Sequence, residues 1–395
     1  MAHDHLLDID GVDDSVLYIP PEEMINIPIP KEHWYEEEYD HYAHSRPVRL
    51  TRGMHLISEW WKKQDFIVHY HISDYAPYLL YGLPELENEV RTLHHLIAPH
   101  QQIKDRELVF GLGATQIIHA SLYALALAHS IRENPPIEHK TFISPLFATQ
   151  QEPGYIEYGS LIEVMHLGLI KWLRWSEAES VDPKHLLEFI TTPNNPDGAI
   201  HFKKTNADYT LHDRVNHWPF FLNRDDSIIS SETFENDMIS IFSLSKILSF
   251  SGARLGYAFV KDPEMARFMR YYILMDTHGL VSDAQHHALF AMKHLFNGRL
   301  EEYSNWIKDR LNERWDLLEK NIKYSPLELL NFQGPTAWVK APRKADEYFK
   351  STYNVEATYG HEYGYSSDHI RLNMLSQTNE FNEFIWRLQS CSKNS

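Results

Sequence analysis

The chain has 395 residues, 43% hydrophobic and 13% aromatic, long enough for a large core and too apolar for a disordered protein. A formal net charge of −18 without a basic stripe argues against nucleic acid and anionic membrane as the main partner. Its one cysteine, Cys391, allows no disulfide framework within the chain, so a reducing, cytoplasmic setting is expected.

The first residues are acidic and lack the positive and apolar regions of a signal peptide. No run of about 18 apolar residues predicts a membrane helix. Residues 1–48 carry Pro-interrupted apolar runs such as Ile25-Asn-Ile-Pro-Ile-Pro30, which do not make regular core elements. An extended N-terminal arm is expected there, with a mobile tail as the alternative.

Helical spacing covers Val48 to Lys63, and Phe66–Ile72 alternates as a strand. An aromatic loop, Asp74–Gly82, leads to a helix from Leu83 to about Ile97, with Pro84 in its first turn. Glu107–Phe110 reads as a strand and Ile117–Arg132 as a helix, joined by Gly111-Leu-Gly-Ala-Thr-Gln116. Further strands are expected at Lys140–Ser144, Leu161–Met165, Phe189–Thr192, Tyr209–His212, Ser227–Ser230, Met238–Ser243 and Leu255–Val260, with a helix near Pro183–Glu188. This alternation predicts an α/β fold with a mostly parallel sheet and helices over it. Helices follow at Asp262–Asp276, Ser282–Asn297 and Leu300–Lys323. From about Ser325 short strands and helices suggest a smaller α+β lobe. The expected domains are therefore the arm 1–48, a large domain 49–300 and a small domain 301–395, which part of the N-terminal segment could complete.

Histidine is plentiful, at 25, yet His69/His71, His94-His95 and His286-His287 lack any metal-binding frame, and no metal is expected. Ser243-Leu-Ser-Lys246 fits the S-x-x-K of serine acylases, but the S-D-N and K-T-G partners are missing. The alternatives left are a polar connection with a solvated lysine, or an amine that forms an imine beside an anion held by Ser243, Ser245 and Arg254. The Gly111–Gln116 turn, between a strand and a helix N-terminus, could also hold an anion, although Gln116 breaks the dinucleotide pattern. Asn194–Gly198 is turn chemistry after a strand, and Asp213 ends another. All four places fall at carboxyl ends of strands, where ligands bind in such sheets.

With these sites assembled, the sequence resembles fold-type I pyridoxal-phosphate enzymes of the aminotransferase superfamily. Within them it is most similar to the alliinase / tryptophan aminotransferase-related group, over roughly residues 70–390. The resemblance rests on Ser243, Ser245 and Lys246 with Arg254 eight residues on, Asn195 in Asn-Asn-Pro-Asp-Gly, Asp213 in His-Asp-x-x-x-x-Trp-Pro, and the Gly111 turn. It implies an aspartate aminotransferase-like sheet of seven strands, helices on both faces, a homodimer and pyridoxal 5'-phosphate as cofactor. Lys246 would hold the cofactor as an internal imine and then move the Cα proton. Asp213 would pair with the ring nitrogen, and Asn195 would donate to the phenolic oxygen. Gly111, Leu112, Gly113, Ser243, Ser245 and Arg254 would hold the phosphate. Val215 would lie under the ring. Phe147 would stack above it, with core packing as the alternative. Arg371, with Asn195, would bind the substrate carboxylate.

Asn216 stands where the group usually has tyrosine, and Leu112 where a hydroxyl is usual. The residue lent across the dimer falls near His71, with Tyr70 and Tyr78 as neighbours. The reading is an aminotransferase for an L-α-amino acid and a 2-oxo acid, with an aromatic or apolar side chain suggested by Tyr70–Tyr81. A carbon–sulfur β-elimination lyase is the alternative. It is weakened because plant alliinases carry a cysteine-rich segment and this chain has one cysteine. A non-catalytic relic of the fold is the third reading, opposed by an intact Lys246 and Asp213.

Overall fold

A computed structural model describes residues 47–51, 53–64, 66–68, 81–133, 145–165, 168–222, 224, 227 and 234–392, which belong to one unit, Ser45–Ser395. The expected arm lies outside the described residues apart from its last two positions, as do the strand at 140–144 and the residues His71, Tyr70 and Tyr78. Of the strand expected at Ser227–Ser230 only Ser227 is described, and it is helical.

In chain order the elements are β1 (Val48–Arg49), α1 (His55–Trp61), α2 (Pro84–Ile97), β2 (Glu107–Gly111), α3 (Gly113–Glu133), β3 (Leu146–Gln150), α4 (Glu157–Met165), β4 (Ile170–Trp172), β5 (Leu186–Thr191), β6 (Tyr209–Asp213) and β7 (Ile239–Ser243). There follow α5 (Leu244–Ile247), β8 (Gly256–Val260), α6 (Pro263–Thr277), α7 (Ser282–Phe296) and α8 (Leu300–Ile322). The last part holds β9 (Glu328–Leu329), β10 (Thr336–Lys340), α9 (Ala345–Tyr353), β11 (Val355–Glu356), β12 (Thr358–Tyr359), β13 (His369–Asn373) and α10 (Thr378–Ser392).

The large sheet has the order β2-β8-β7-β6-β5-β3-β4. All its pairings are parallel except those of β8, which runs against both β2 and β7. Alternate residues feed two cores, as period-two side chains require. Leu108 and Phe110 enter one cluster with Leu86, Val90 and Leu93 of α2, while Val109 enters another with Ile117 and Leu125 of α3 and Met269 of α6. Helices therefore cover both faces. All six residues of β5 are buried, as fits a central strand. A second, antiparallel sheet has the order β12-β13-β10-β9. Its Val339, Ile370 and Leu372 share the first core with Leu311 and Trp315 of α8. β1 pairs in parallel with β11.

Four expectations are corrected. The helix expected over Val48 to Lys63 is confined to His55–Trp61, because Val48 and Arg49 pair as a strand with β11. Leu161–Met165 is the end of helix α4, not a strand: Tyr158 and Ile162, one turn apart, are both buried, and a short apolar run does not distinguish the two states. The helix expected at Pro183–Glu188 shrinks to one 3₁₀ turn, Pro183–His185, because Leu186 already begins the buried strand. Phe66–Val68, the described part of another expected strand, is irregular.

Candidate active site

Several strand ends lie level on one edge of the large sheet. Thr191 pairs with Asp213, and Asp213 with Ile241. Gly111 and Ser243 both pair with Gly256, the first residue of β8. The glycine turn after β2, the Asn195 loop after β5, Asp213 and the Lys246 turn after β7 thus open on the same side.

Lys246 sits in the single turn α5. Ser243 starts that turn, its Oγ accepting the Ser245 N–H at 3.2 Å. Lys246 lines a cavity of about 160 Å³ together with Asn195, Asn216, Tyr155, Glu157 and Arg371. Among the described lining residues it is the one amine. A larger groove of about 500 Å³ beside Leu96, Phe220 and Leu295 holds no comparable set of groups, so chemistry rather than size selects the smaller cavity.

Arg371 comes from the middle of β13, between Trp338 of β10 and Thr358 of β12. One terminal N–H donates to Asn195 Oδ1 at 2.9 Å and another to the Thr51 carbonyl. Its Nε is buried with no hydrogen-bond partner among the described residues. Arg371 lies 5.9 Å from the Tyr363 ring centroid. A guanidinium that is braced at both ends and keeps a donor in hand suits a carboxylate.

Asp213 is 6% exposed. Its Oδ2 accepts from Tyr158 Oη at 2.7 Å and its Oδ1 from the Val215 N–H at 3.1 Å. Burial pushes its carboxyl above the ordinary value. The Tyr158 hydroxyl, the Val215 amide and the Lys246 charge oppose that shift without cancelling it. A cation brought against Asp213 would therefore be well received.

The phosphate residues expected from sequence cluster on the same edge. A Cβ on Gly113, whose φ is +75°, would fall 2.5 Å from an Arg254 guanidinium nitrogen. A Cβ on Gly256 would fall 2.5 Å from the Ala114 nitrogen and the Gly113 carbonyl carbon. Two glycines are thus required so that Arg254 and the start of α3 can close on each other. Ser245 Oγ is buried without a hydrogen-bond partner among the described residues. An unspent hydroxyl, an arginine fork and a helix N-terminus fit a bound phosphate ester. One detail differs from expectation: the Leu112 N–H already donates to Gln116 Oε1 at 2.7 Å. Asn216 is buried and borders the cavity, and Val215 is half-buried beside Asp213.

Phe147 is not at the site. It lies early in β3 and packs against Ala178, Leu186 and Ala207, so core packing wins over stacking. Tyr155 takes the cavity position instead, with its hydroxyl donating to Glu157. Sequence reading missed Tyr155, Glu157, Tyr158 and Tyr363. The run Pro153-Gly-Tyr-Ile-Glu-Tyr158 after β3 was an available signal, hidden by reading the end of α4 as a strand. Gly53 and Met54 also border the cavity, held there by the Asn373 side chain donating to the Gly53 carbonyl at 2.8 Å. Among the described residues no group of three His, Cys, Asp or Glu side chains forms a metal site, and no helix is long and apolar enough to cross a membrane. His94, which a metal reading would use, is buried between Gln101 at 2.7 Å and Tyr257 at 2.8 Å.

Comparison with known proteins gives the family and the fold. The Allinase family model (Alliinase_C) matches residues 49–392. Tryptophan aminotransferase-related protein 3 of Arabidopsis thaliana is 28% identical over 369 residues, covering 87% of this chain and 74% of the relative. Alliin lyase 1 of Allium sativum is 24% identical over 371 residues, covering 86% and 70%. Among solved structures, an aminotransferase from Staphylococcus aureus matches with a TM-score of 0.66 at 18% identity, over 94% of this chain and 98% of that one. An aromatic aminotransferase from Pyrococcus horikoshii OT3 gives 0.64 at 18% identity, over 88% and 96%. These structures share the aspartate aminotransferase-like fold. The chain belongs to the alliinase family of pyridoxal-phosphate-dependent enzymes.

Proposed function

We propose that the protein is an aminotransferase that takes an L-α-amino acid and a 2-oxo acid. The observation that carries this is one cavity bordered by Lys246, Asn195, Asn216 and Arg371, with an Arg371 donor unspent. In this reading Gly111, Gly113, Ser243, Ser245 and Arg254 hold the cofactor's phosphate, with Leu112 contributing once Gln116 yields its amide. Asp213 holds the proton on the ring nitrogen. Asn195 and Asn216 donate to the phenolic oxygen, and Val215 lies against one face of the ring. When bound, pyridoxal phosphate supplies an electron sink for the bond broken at Cα.

The chain's own residues do the rest. Arg371 fixes the substrate carboxylate, which orients the Cα–H bond. Lys246 Nζ is the base for that proton and, on return, its donor. Tyr155 and Glu157 close one wall of the cavity, and Tyr363 lies beneath Arg371. The described wall offers a substrate side chain both polar groups, such as Thr336, Thr358 and Glu362, and apolar ones, such as Met54, Ile156 and Pro335. The aromatic run that suggested an aromatic or apolar substrate lies, except for Tyr81, outside the described residues. A large domain 49–300, a small domain 301–395 and a cytoplasmic homodimer belong to the same proposal.

A carbon–sulfur lyase is the second reading, favoured by the alliin lyases among the relatives. An amino-acid panel run with and without a 2-oxo acid separates the two. Transfer requires the acceptor and forms a new amino acid. Release of pyruvate and ammonia without an acceptor would rule transfer out.

A further inference from the structure

Tyr158 makes a contact that the roles above leave unused. Its ring is fully buried in α4 and stacks on Phe189, with centroids 4.3 Å apart and planes 17° apart. Its hydroxyl donates to Asp213 Oδ2 at 2.7 Å and lies 2.9 Å from Thr191 Oγ1. A phenol has one proton to give. With that proton on Asp213, the Thr191 hydroxyl must donate to the phenol oxygen. The result is a directed chain from Thr191 through Tyr158 to Asp213. Thr191 and Asp213 are register partners on β5 and β6, so the sheet itself fixes both ends of the chain. The other carboxylate oxygen is tied to the Val215 N–H at 3.1 Å. Among the described residues each oxygen thus accepts one hydrogen bond and keeps a lone pair for a ligand.

We propose that Tyr158 is a positioning residue whose hydroxyl orients Asp213 toward the cofactor's ring nitrogen. The proposal rests on the assignment of Asp213 to that nitrogen. Burial drives the Asp213 carboxyl toward its neutral form, and the Tyr158 hydroxyl works against this. Burial also holds the Tyr158 phenol well above its ordinary value, so the hydroxyl remains a donor at any working pH.

A double-mutant cycle tests this. Pyridoxal phosphate affinity is measured by fluorescence titration at several pH values for the wild type, Tyr158→Phe, Asp213→Asn and the double variant. Tyr158→Phe keeps the ring stacked on Phe189 and removes one donor. It should weaken binding about tenfold, as expected for a hydrogen bond to a charged group. The loss should grow as pH falls, because an Asp213 that has lost a donor protonates sooner. In the Asp213→Asn background the same change should cost nothing. Equal losses in both backgrounds, or wild-type affinity in Tyr158→Phe while Asp213→Asn is impaired, would overturn the role of Tyr158. Wild-type affinity in Asp213→Asn would overturn the Asp213 assignment itself, and the proposal with it. If Tyr158→Phe does not fold, Thr191→Val enters the same cycle. It should show a smaller loss, about threefold, again present only with Asp213 intact. No loss, or an uncoupled one, would overturn the proposal.

Discussion

Asp213 and Asp237 are both buried carboxylates near the same two strands, and the fold treats them in opposite ways. Asp237 accepts from Arg214 at 2.7 and 3.1 Å and from Ser240 at 2.7 Å, with His212 Nδ1 at 3.2 Å. Burial pushes its carboxyl up, but His212 and Arg214 outweigh that and hold it below the ordinary value. Asp213 has a hydroxyl and an amide for donors, and burial wins. Its neighbour Arg214 faces away to Asp237 and lies over the Phe234 ring at 4.2 Å. A buried charge matched inside the protein supports structure, whereas one left above its ordinary value marks a place kept for a cationic ligand.

The two aspartates should therefore fail differently. Asp213→Asn should lower kcat about 10²- to 10³-fold, the scale of a lost electrostatic partner in an active site. Its cofactor-free form should unfold no earlier than the wild type, since the buried charge is gone, Asn Oδ1 can still accept from the Val215 N–H and its NH2 can donate to the Tyr158 oxygen. Steady-state kinetics and thermal unfolding without cofactor check the two halves. Asp237→Asn should do the reverse. It leaves Arg214 buried against a neutral partner and should cost about 3 kcal/mol of stability in denaturant unfolding, with cofactor affinity of the folded protein unchanged.

Acid should sharpen the contrast. Burial brings His94 and His212 down to about 4 from 6.5. Between these values the unfolded chain binds more protons than the fold, so stability falls as pH drops. Each histidine should cost about 2 kcal/mol at about pH 5, and His94→Gln should flatten its share of that slope. Asp213 has the opposite sign: the fold binds its proton more readily than the unfolded chain, so acidification relieves its burial. Asp213→Asn should therefore steepen the acid loss in cofactor-free protein. The smallest effect is at Arg371. Arg371→Lys keeps the charge but cannot span both Asn195 and Thr51, and should raise KM for the amino acid about tenfold with cofactor affinity unchanged.

The sequence exposed the parts of the site that depend on short segments. Lys246, Asp213, Asn195 and the Gly111 turn each follow a recognisable strand, so the shared edge could be inferred before any coordinates. Arg371 carried no local signal and came only through family resemblance, because its meaning lies in contacts with Asn195 and Thr51, 176 and 320 residues away in sequence. Tyr158 was missed for a related reason. Its partner Asp213 is 55 residues on, and the apolar run after it fits a strand as well as a helix. Phe147 stayed open between stacking and core packing because the expected strand ended at Ser144, before it, whereas β3 starts at Leu146 and turns Phe147 into the core.

Borohydride reduction of the pyridoxal-phosphate-loaded protein, followed by peptide mass spectrometry, tests most directly whether Lys246 carries the cofactor. The expected result is one pyridoxyl group per chain on the peptide that contains Lys246, with the visible cofactor absorbance lost in Lys246→Ala. A protein that takes up no label, or one labelled at another lysine whose colour survives Lys246→Ala, would contradict it.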